Sequence, residues 1–113
     1  MRPLSLFLDG GPAPFPAWLA DSFADRLRGW LGRRDSDHCL AILLTPCNAV
    51  HFFGTRVPLD LYFLDGSGRV LRRHLACAPG STPRFHLGAA RVLEVVSGTL
   101  PSASNPQVIR WKT

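Results

Sequence analysis

The chain has 113 residues, 46% of them apolar and 19% charged. That is enough for one compact core, too few for two, and too apolar for a disordered chain. A formal net charge of +5 suits an anionic partner, but the basic residues never form a run longer than two, so no polybasic tail is present.

The N-terminal "PLSLFL" reads as a first short strand ended by Asp9-Gly10-Gly11. Its apolar run, Leu4 to Leu8, is shorter than the roughly seven to fifteen residues of a secretory leader. Nothing approaches the ~20 apolar residues of a membrane span. The prolines of "GPAPFPA" hold an extended or turning segment, because each fixes φ and restrains the residue before it.

"AWLADSFADRLRGWLGRR" predicts one helix within about residues 16 to 32. Trp18, Leu19, Phe23, Leu27, Trp30 and Leu31 recur at helical spacing, and Leu27, Trp30 and Leu31 are expected to be buried against a sheet. Asp21 and Asp25 toward its start and Arg33 and Arg34 near its end suit the helix dipole, with Gly32 as the stop.

After "DSDH" the pattern turns to β. "CLAILL" and "NAVHFFG" are short apolar runs, and strands are predicted over most of 48–53, 59–64, 69–76 and 91–96. "DGSG" is the clearest hairpin turn, because Gly66 and Gly68 tolerate positive φ. "PQVIRWK" adds a last short strand. The sum is a single α+β domain over residues 1–113, with one N-terminal amphipathic helix packed on a curled, mostly antiparallel sheet or small β-barrel.

The segments "DRLRGWLGRR", "ILLTPCNAVHFFG", "VPLDLYFLDGSGRVL" and "ARVLEVVSG", in this order and spacing, resemble a small bacterial and archaeal family catalogued as domain of unknown function 192. The resemblance covers about residues 25 to 98, and several separated motifs agree in order. It implies a compact β-rich α+β fold without an established activity. Carried over residue by residue, it points to Arg26 and Gly29 in the helix. It points also to His51, Gly54, Pro58, Asp60 and Asp65 around a 48–65 hairpin, and to Glu94 and Gly98 in the late strand. Thr55 stands where related sequences often carry methionine, and Trp30 where they often carry leucine. The ending "TLPSASNPQVIRWKT" matches weakly. Signal peptides in some members imply envelope or secretion-linked roles; without a leader here, the expectation is a cytoplasmic homologue.

The candidate chemistry is then weighed residue by residue. Cys47 and His51 form a nucleophile-and-base pair only if the segment bends, since on one strand face they stand about 13 Å apart. Cys39, Cys47, His51 and Cys77, with His74 or His86 as substitutes, lack zinc-site spacing, so no metal and no cofactor are expected. The three cysteines suit free thiols in a reducing cytoplasm. His51 and Asp60 are expected across neighbouring antiparallel strands, where a carboxylate orients the imidazole or locks the register. Arg26 is free to clamp Asp60 or Glu94. Phe52, Phe53, Tyr62 and Phe63 lack the interleaved basic residues of a nucleic-acid stacking platform, so core packing accounts for them.

The reading is a non-catalytic binding or accessory module. It engages a small polar ligand or a protein through a groove built by Arg26, His51 and Asp60, walled by Trp30 and Phe53. The alternative is a small hydrolase-like enzyme with His51 as base, Asp60 orienting it and Cys47 as optional nucleophile. A third reading is nucleic-acid binding through the basic surface.

Overall fold

The computed structural model describes residues 1–30, 40–101 and 104–113. In chain order the elements are β1 (Arg2–Leu8), β2 (Gly11–Pro12), β3 (Ala17–Ala20), α1 (Phe23–Arg28), β4 (Ala41–Leu44) and β5 (Ala49–Val50). They continue with β6 (Leu59–Leu64), β7 (Val70–Cys77), β8 (Arg84–Phe85), β9 (Arg91–Val96) and β10 (Ile109–Lys112).

One large sheet runs β10-β1-β3-β4-β9-β6-β7, with β2 also paired to β1, and β5-β8 form a separate ribbon. Within the large sheet the β3–β4 pairing is parallel, and the chain passes from one to the other by way of α1. The sheet curls until its far ends meet: Arg69 bridges Val108, and the Gly68 carbonyl accepts from Ile109 N–H at 2.7 Å. The Asp9-Gly10 turn, with both residues at positive φ, is also tied to the C-terminal segment. Asp9 Oδ1 accepts from the backbone N–H groups of Gln107 and Val108, each at 2.9 Å.

β4 and β6 are buried along their whole length, so both are strands covered on both faces, Asp60 being the one charged residue in either. Along β6, Leu59, Leu61 and Phe63 enter one core with Trp30, Val50 and Phe52. Tyr62 and Leu64 enter the other with Leu6, Leu93 and Ile109. On β9, Val92 and Val96 face the first core, and Leu93 and Val95 face the second.

The expected α+β architecture is overturned: the described residues are nearly all β, and no helix among them packs its face on the sheet. The first four residues of the best helical pattern, "AWLA", are β3, seated between β1 and β4 with Trp18 opposite Ile42. Two strands offering backbone hydrogen bonds outweigh a local helical preference. Ser22 then caps a six-residue helix by accepting from Asp25 N–H at 3.1 Å, and Gly29 ends it at φ 45°. That helix buries none of its residues. Leu27, expected in the core, is 60% exposed, whereas Trp30, just past the helix, is 1% exposed. Leu31 and the stop placed at Gly32 lie outside the described residues, as does Cys39.

The 48–65 hairpin is also corrected. β5 pairs with β8, matching Ala49 to Phe85 and Val50 to Arg84, while β6 lies between β7 and β9. The segments "NAVHFF" and "PLDLYF" are therefore not sheet neighbours. Among the described residues, no helix is long and apolar enough to cross a membrane.

Candidate functional site

The sequence around Gly29 decides where the polar groups gather. α1 stops there because the residue adopts φ 45° and ψ −119°, a combination that L side chains rarely reach. The stop lays the glycine backbone over the centre of the sheet, where Glu94 projects from β9 between Ile42 of β4 and Leu61 of β6. A Cβ on Gly29 would stand 2.9 Å from Glu94 Oε1. Trp30 then drops into the core beside it, and the segment after β5 brings in His51, whose Nε2 lies 3.2 Å from the Leu27 carbonyl.

Arg26, Leu27, Gly29, Trp30, His51 and Glu94 thus line one cleft, closed below by the ends of β4 and β5, with a cavity of about 30 Å³. Three of its side chains leave a buried polar atom without a partner: Trp30 Nε1, His51 Nδ1 and Glu94 Oε1. Buried polar atoms almost always find partners, because leaving one unmatched costs about 1–3 kcal/mol. Trp30, His51 and Glu94, three of the five residues with such an atom among those described, belong to the lining of this one cleft.

The electrostatics follow from burial. Glu94 is 2% exposed, and loss of water pushes its pKa up to about 8. At neutral pH its side chain is therefore mostly an uncharged carboxylic acid, able to donate as well as accept. Arg26 and Arg28 both belong to the lining and supply its cationic groups; Arg26 Nη1 donates to the Asp21 carbonyl at 2.6 Å.

Asp60, expected here with His51, is elsewhere. Its Oδ1 accepts from Ala76 N–H at 2.7 Å and from the Ser97 hydroxyl at 2.8 Å. Ala76 sits in the β7 bulge at φ 54°, and the carboxylate pins that irregularity in place. Asp60 also alternates with Leu59 and Leu61 along β6, which directs it to the sheet face opposite the cleft. The His51–Asp60 pair is therefore not formed, and a hydrolase built on it has no orienting group.

Phe53 is 81% exposed in the turn that ends at Gly54 (φ 75°) and is not among the cleft's lining residues. The Pro58 carbonyl accepts from Ser97 N–H at 3.0 Å just before β6 begins. Asp65 closes the β6–β7 turn by accepting from the Ser67 hydroxyl and from the amides of Ser67 and Arg69. These bonds, the Ser67 hydroxyl first, hold its carboxyl below the usual range. Gly98 turns the chain after β9 at φ 91°. Thr55, one of the two departures from the family pattern, is buried and donates to the Phe52 carbonyl at 2.9 Å.

Cys47 donates to the Ala49 carbonyl at 3.2 Å, and burial pushes its thiol pKa up. It remains a thiol at neutral pH, a poor nucleophile. The open hollow of about 320 Å³ beside it is lined by Pro46, Cys47, Asn48, Ala89 and Ala90, with no charged side chain. Among the described residues, no group of three His, Cys, Asp or Glu side chains is placed to hold a metal ion.

The cleft joins Arg26, Trp30 and His51 with Gly29 and Glu94, two residues that the groove expected from the sequence did not include. The missed signal was an acid inside "RVLEVV": a carboxyl in the middle of a β-branched apolar run is either paired or functional.

Comparisons with known proteins agree with the fold. A crystal structure from Sinorhizobium meliloti 1021, described as a "putative transcription regulator", superposes with a TM-score of 0.77 at 22% identity, covering 98% of this chain and 92% of that one. A protein of unknown function from Novosphingobium aromaticivorans DSM 12444 gives a TM-score of 0.75, also at 22% identity, covering 96% of this chain and 84% of that one. At such identity the likeness establishes the fold alone. No curated protein matches the chain. The DUF192 family, "Uncharacterized ACR", matches residues 6–104. Spanning most of the sequence and the whole cleft, that match makes the chain a member of the DUF192 family.

Proposed function

We propose that this domain is a non-catalytic binding module whose cleft beside α1 receives the polar end of a small molecule or of a protein segment. The observation that carries the reading is one small cleft whose lining brings together Arg26, Arg28, Trp30, His51 and Glu94, in a chain whose cores are otherwise built mainly of apolar side chains. Arg26 borders the cavity and favours an electron-rich group. Cys47 and Cys77 are free thiols, which supports a reducing compartment, the cytoplasm, as the place of action.

Binding without turnover accounts for the chemistry better than hydrolysis does. His51 has no carboxylate to orient it, and the neighbouring thiol is held protonated. The test is a thermal-shift screen of sugars, nucleotides, anions and small neutral polar compounds against the wild type and His51→Ala. A bound ligand raises the melting temperature in proportion to the logarithm of its excess over Kd. The expected result is at least one compound that stabilises the wild type and loses its effect on His51→Ala. Equal shifts in both proteins, or none in either, would refute a role for this cleft.

A further inference from the structure

We propose that Arg72, His74, Arg84 and His86 form a second site, separate from the cleft beside α1, that binds a phosphate monoester. None of the four lines the cleft, so this goes beyond the binding role proposed above and does not rest on it.

The chain carries the pattern Arg-x-His twice, as "RRH" over 72–74 in β7 and as "RFH" over 84–86. In a strand, residues two apart share a face and stand about 7 Å from each other. Arg72 pairs with Phe63 and His74 with Leu61, so both belong to the first-core face of the sheet. Arg73, opposite Tyr62, belongs to the other face, and its Nη1 donates to the Ser104 carbonyl at 3.1 Å. His86 N–H donates to the Asn48 carbonyl at 2.9 Å and carries the β8 pairing one residue further, so Arg84 and His86 also share a face.

Two observations bring the pairs together. Both imidazoles pack against Phe63, His74 edge-on at 5.9 Å between centroids and His86 tilted at 6.3 Å. A Cβ on Gly88 would stand 3.4 Å from His86 Cε1 and 3.9 Å from Leu71 Cδ1. The end of the second pattern therefore lies beside the start of the first.

The cluster has no counter-charge. Arg72 is exposed and the other three residues are half-buried. Among the described residues no ion pair joins either arginine to a carboxylate; Asp21 and Asp25 pair instead with the N-terminal residues. Asp60 serves Ala76 and Ser97, and Asp65 serves its own turn. Glu94 shares the row of His74 one strand beyond Leu61, but it lies under Gly29. Burial first, then Arg84 and Arg72, hold the His74 pKa below its ordinary range, with no carboxylate opposing them.

The donor set selects the ligand. Gly88 N–H donates to His86 Nδ1 at 3.2 Å, so in the neutral ring Nε2 carries the hydrogen. Arg84 Nη1 donates to the Thr82 carbonyl at 2.9 Å, and the rest of its planar fork remains for an oxyanion. A phosphate monoester approaches two negative charges at neutral pH and carries three acceptor oxygens, matching two guanidinium groups at one point. A carboxylate brings one charge and two oxygens. A phosphodiester repeats single charges along a polymer, which calls for a line of cations rather than one cluster.

The experiment is a titration of the folded protein with O-phosphoserine at neutral pH and constant ionic strength, followed by proton–carbon NMR of the imidazole rings. The two signals are assigned through His74→Gln and His86→Gln. O-phosphoserine is expected to shift both saturably, with acetate weaker by at least about ten-fold. Arg72→Gln and Arg84→Gln are each expected to weaken O-phosphoserine by about ten-fold, the loss of one charge-assisted hydrogen bond. Arg110→Gln, at an exposed position in β10, is expected to stay within about two-fold of the wild type. Arg72 is exposed, so its variant keeps the test decisive if Arg84→Gln fails to fold. Shifts that never saturate, or that acetate reproduces with equal affinity, would overturn the site. Equal losses in Arg72→Gln and Arg110→Gln would reduce it to diffuse surface charge and overturn it too. A single-stranded oligonucleotide without terminal phosphate that binds more tightly than O-phosphoserine would overturn the monoester assignment in favour of a nucleic-acid backbone. A phosphoserine peptide that binds more tightly than free O-phosphoserine traces the group to a protein, and the reverse order traces it to a small molecule; both orders support the monoester.

Discussion

Gly29 and Glu94 occupy each other's space: the carboxyl oxygen Oε1 lies 2.9 Å from where a Cβ on residue 29 would begin. The glycine is required twice, by its φ of 45° with ψ of −119° and by the acid beneath it. It ends the helix and shapes the cleft with the same missing atom.

Gly29→Ala should therefore destabilise the fold by about 2–4 kcal/mol, combining backbone strain with displacement of Glu94. Urea denaturation of the variant beside Ala24→Gly, an exposed position in the same helix, checks it. A loss no larger than the ~1 kcal/mol of an ordinary helix glycine would contradict the close packing.

Glu94 should make the protein less stable as pH rises. Its folded pKa, about 8, lies above the unfolded value of ~4.3. The folded state therefore holds one more proton between those values. Stability is fully favoured below the unfolded pKa, falls by up to about 1.4 kcal/mol per pH unit through the interval, and levels off above the folded pKa. Denaturation midpoints at pH 5, 6, 7 and 8 should trace that slope in the wild type and lose much of it in Glu94→Gln.

The amphipathic pattern of residues 16–32 and the structure disagree in a way that mutation can measure. Trp30→Ala removes a side chain that is 1% exposed and should cost about 3–5 kcal/mol. Leu27→Ala, at an exposed position, should change stability by no more than about 0.5 kcal/mol. Similar large losses at both sites would restore the helix-on-sheet arrangement.

That disagreement shows how far the sequence reaches. Strands 59–64 and 91–96 were legible to the residue, because short, mainly apolar runs rich in strand-favouring side chains and bounded by turn residues leave few alternatives. The Asp65 turn was legible from "DGSG". β3 was not, since Trp18 and Leu19 satisfy a helical period and a strand equally well, and only pairing with β1 and β4 settles it. The site was half legible. Arg26, Trp30 and His51 stood out as polar or aromatic residues with a family resemblance behind them. The partner assigned to His51 was wrong because hairpin reasoning assumes that neighbours in sequence pair in space. His51 reaches back to Leu27 across 24 positions, which no local pattern encodes.

Asp60 and Ala76 give a separate prediction, on the face away from the cleft. Asp60→Ala leaves the Ala76 N–H and the Ser97 hydroxyl without their acceptor and should cost about 2–3 kcal/mol. Ala76→Gly relieves a residue held at φ 54° and should stabilise by up to about 1 kcal/mol. Chemical denaturation measures both. Ligand affinity at the cleft should be unaffected by either change.

The pairing of β1 with β10, Ser5 opposite Lys112, sets a schedule for biosynthesis. A nascent chain emerging from the ribosome presents β1 well before β10, and cannot complete the partner set of β1 until β10 has cleared the exit tunnel. Until then the unpaired edge of β1 and the apolar side chains meant for Ile109 remain open to other chains. The large sheet therefore completes its β1 edge only once β10 is available, however early β1 is made. Chaperones that shield strand edges have most to protect in the interval between the synthesis of Leu8 and the release of Ile109.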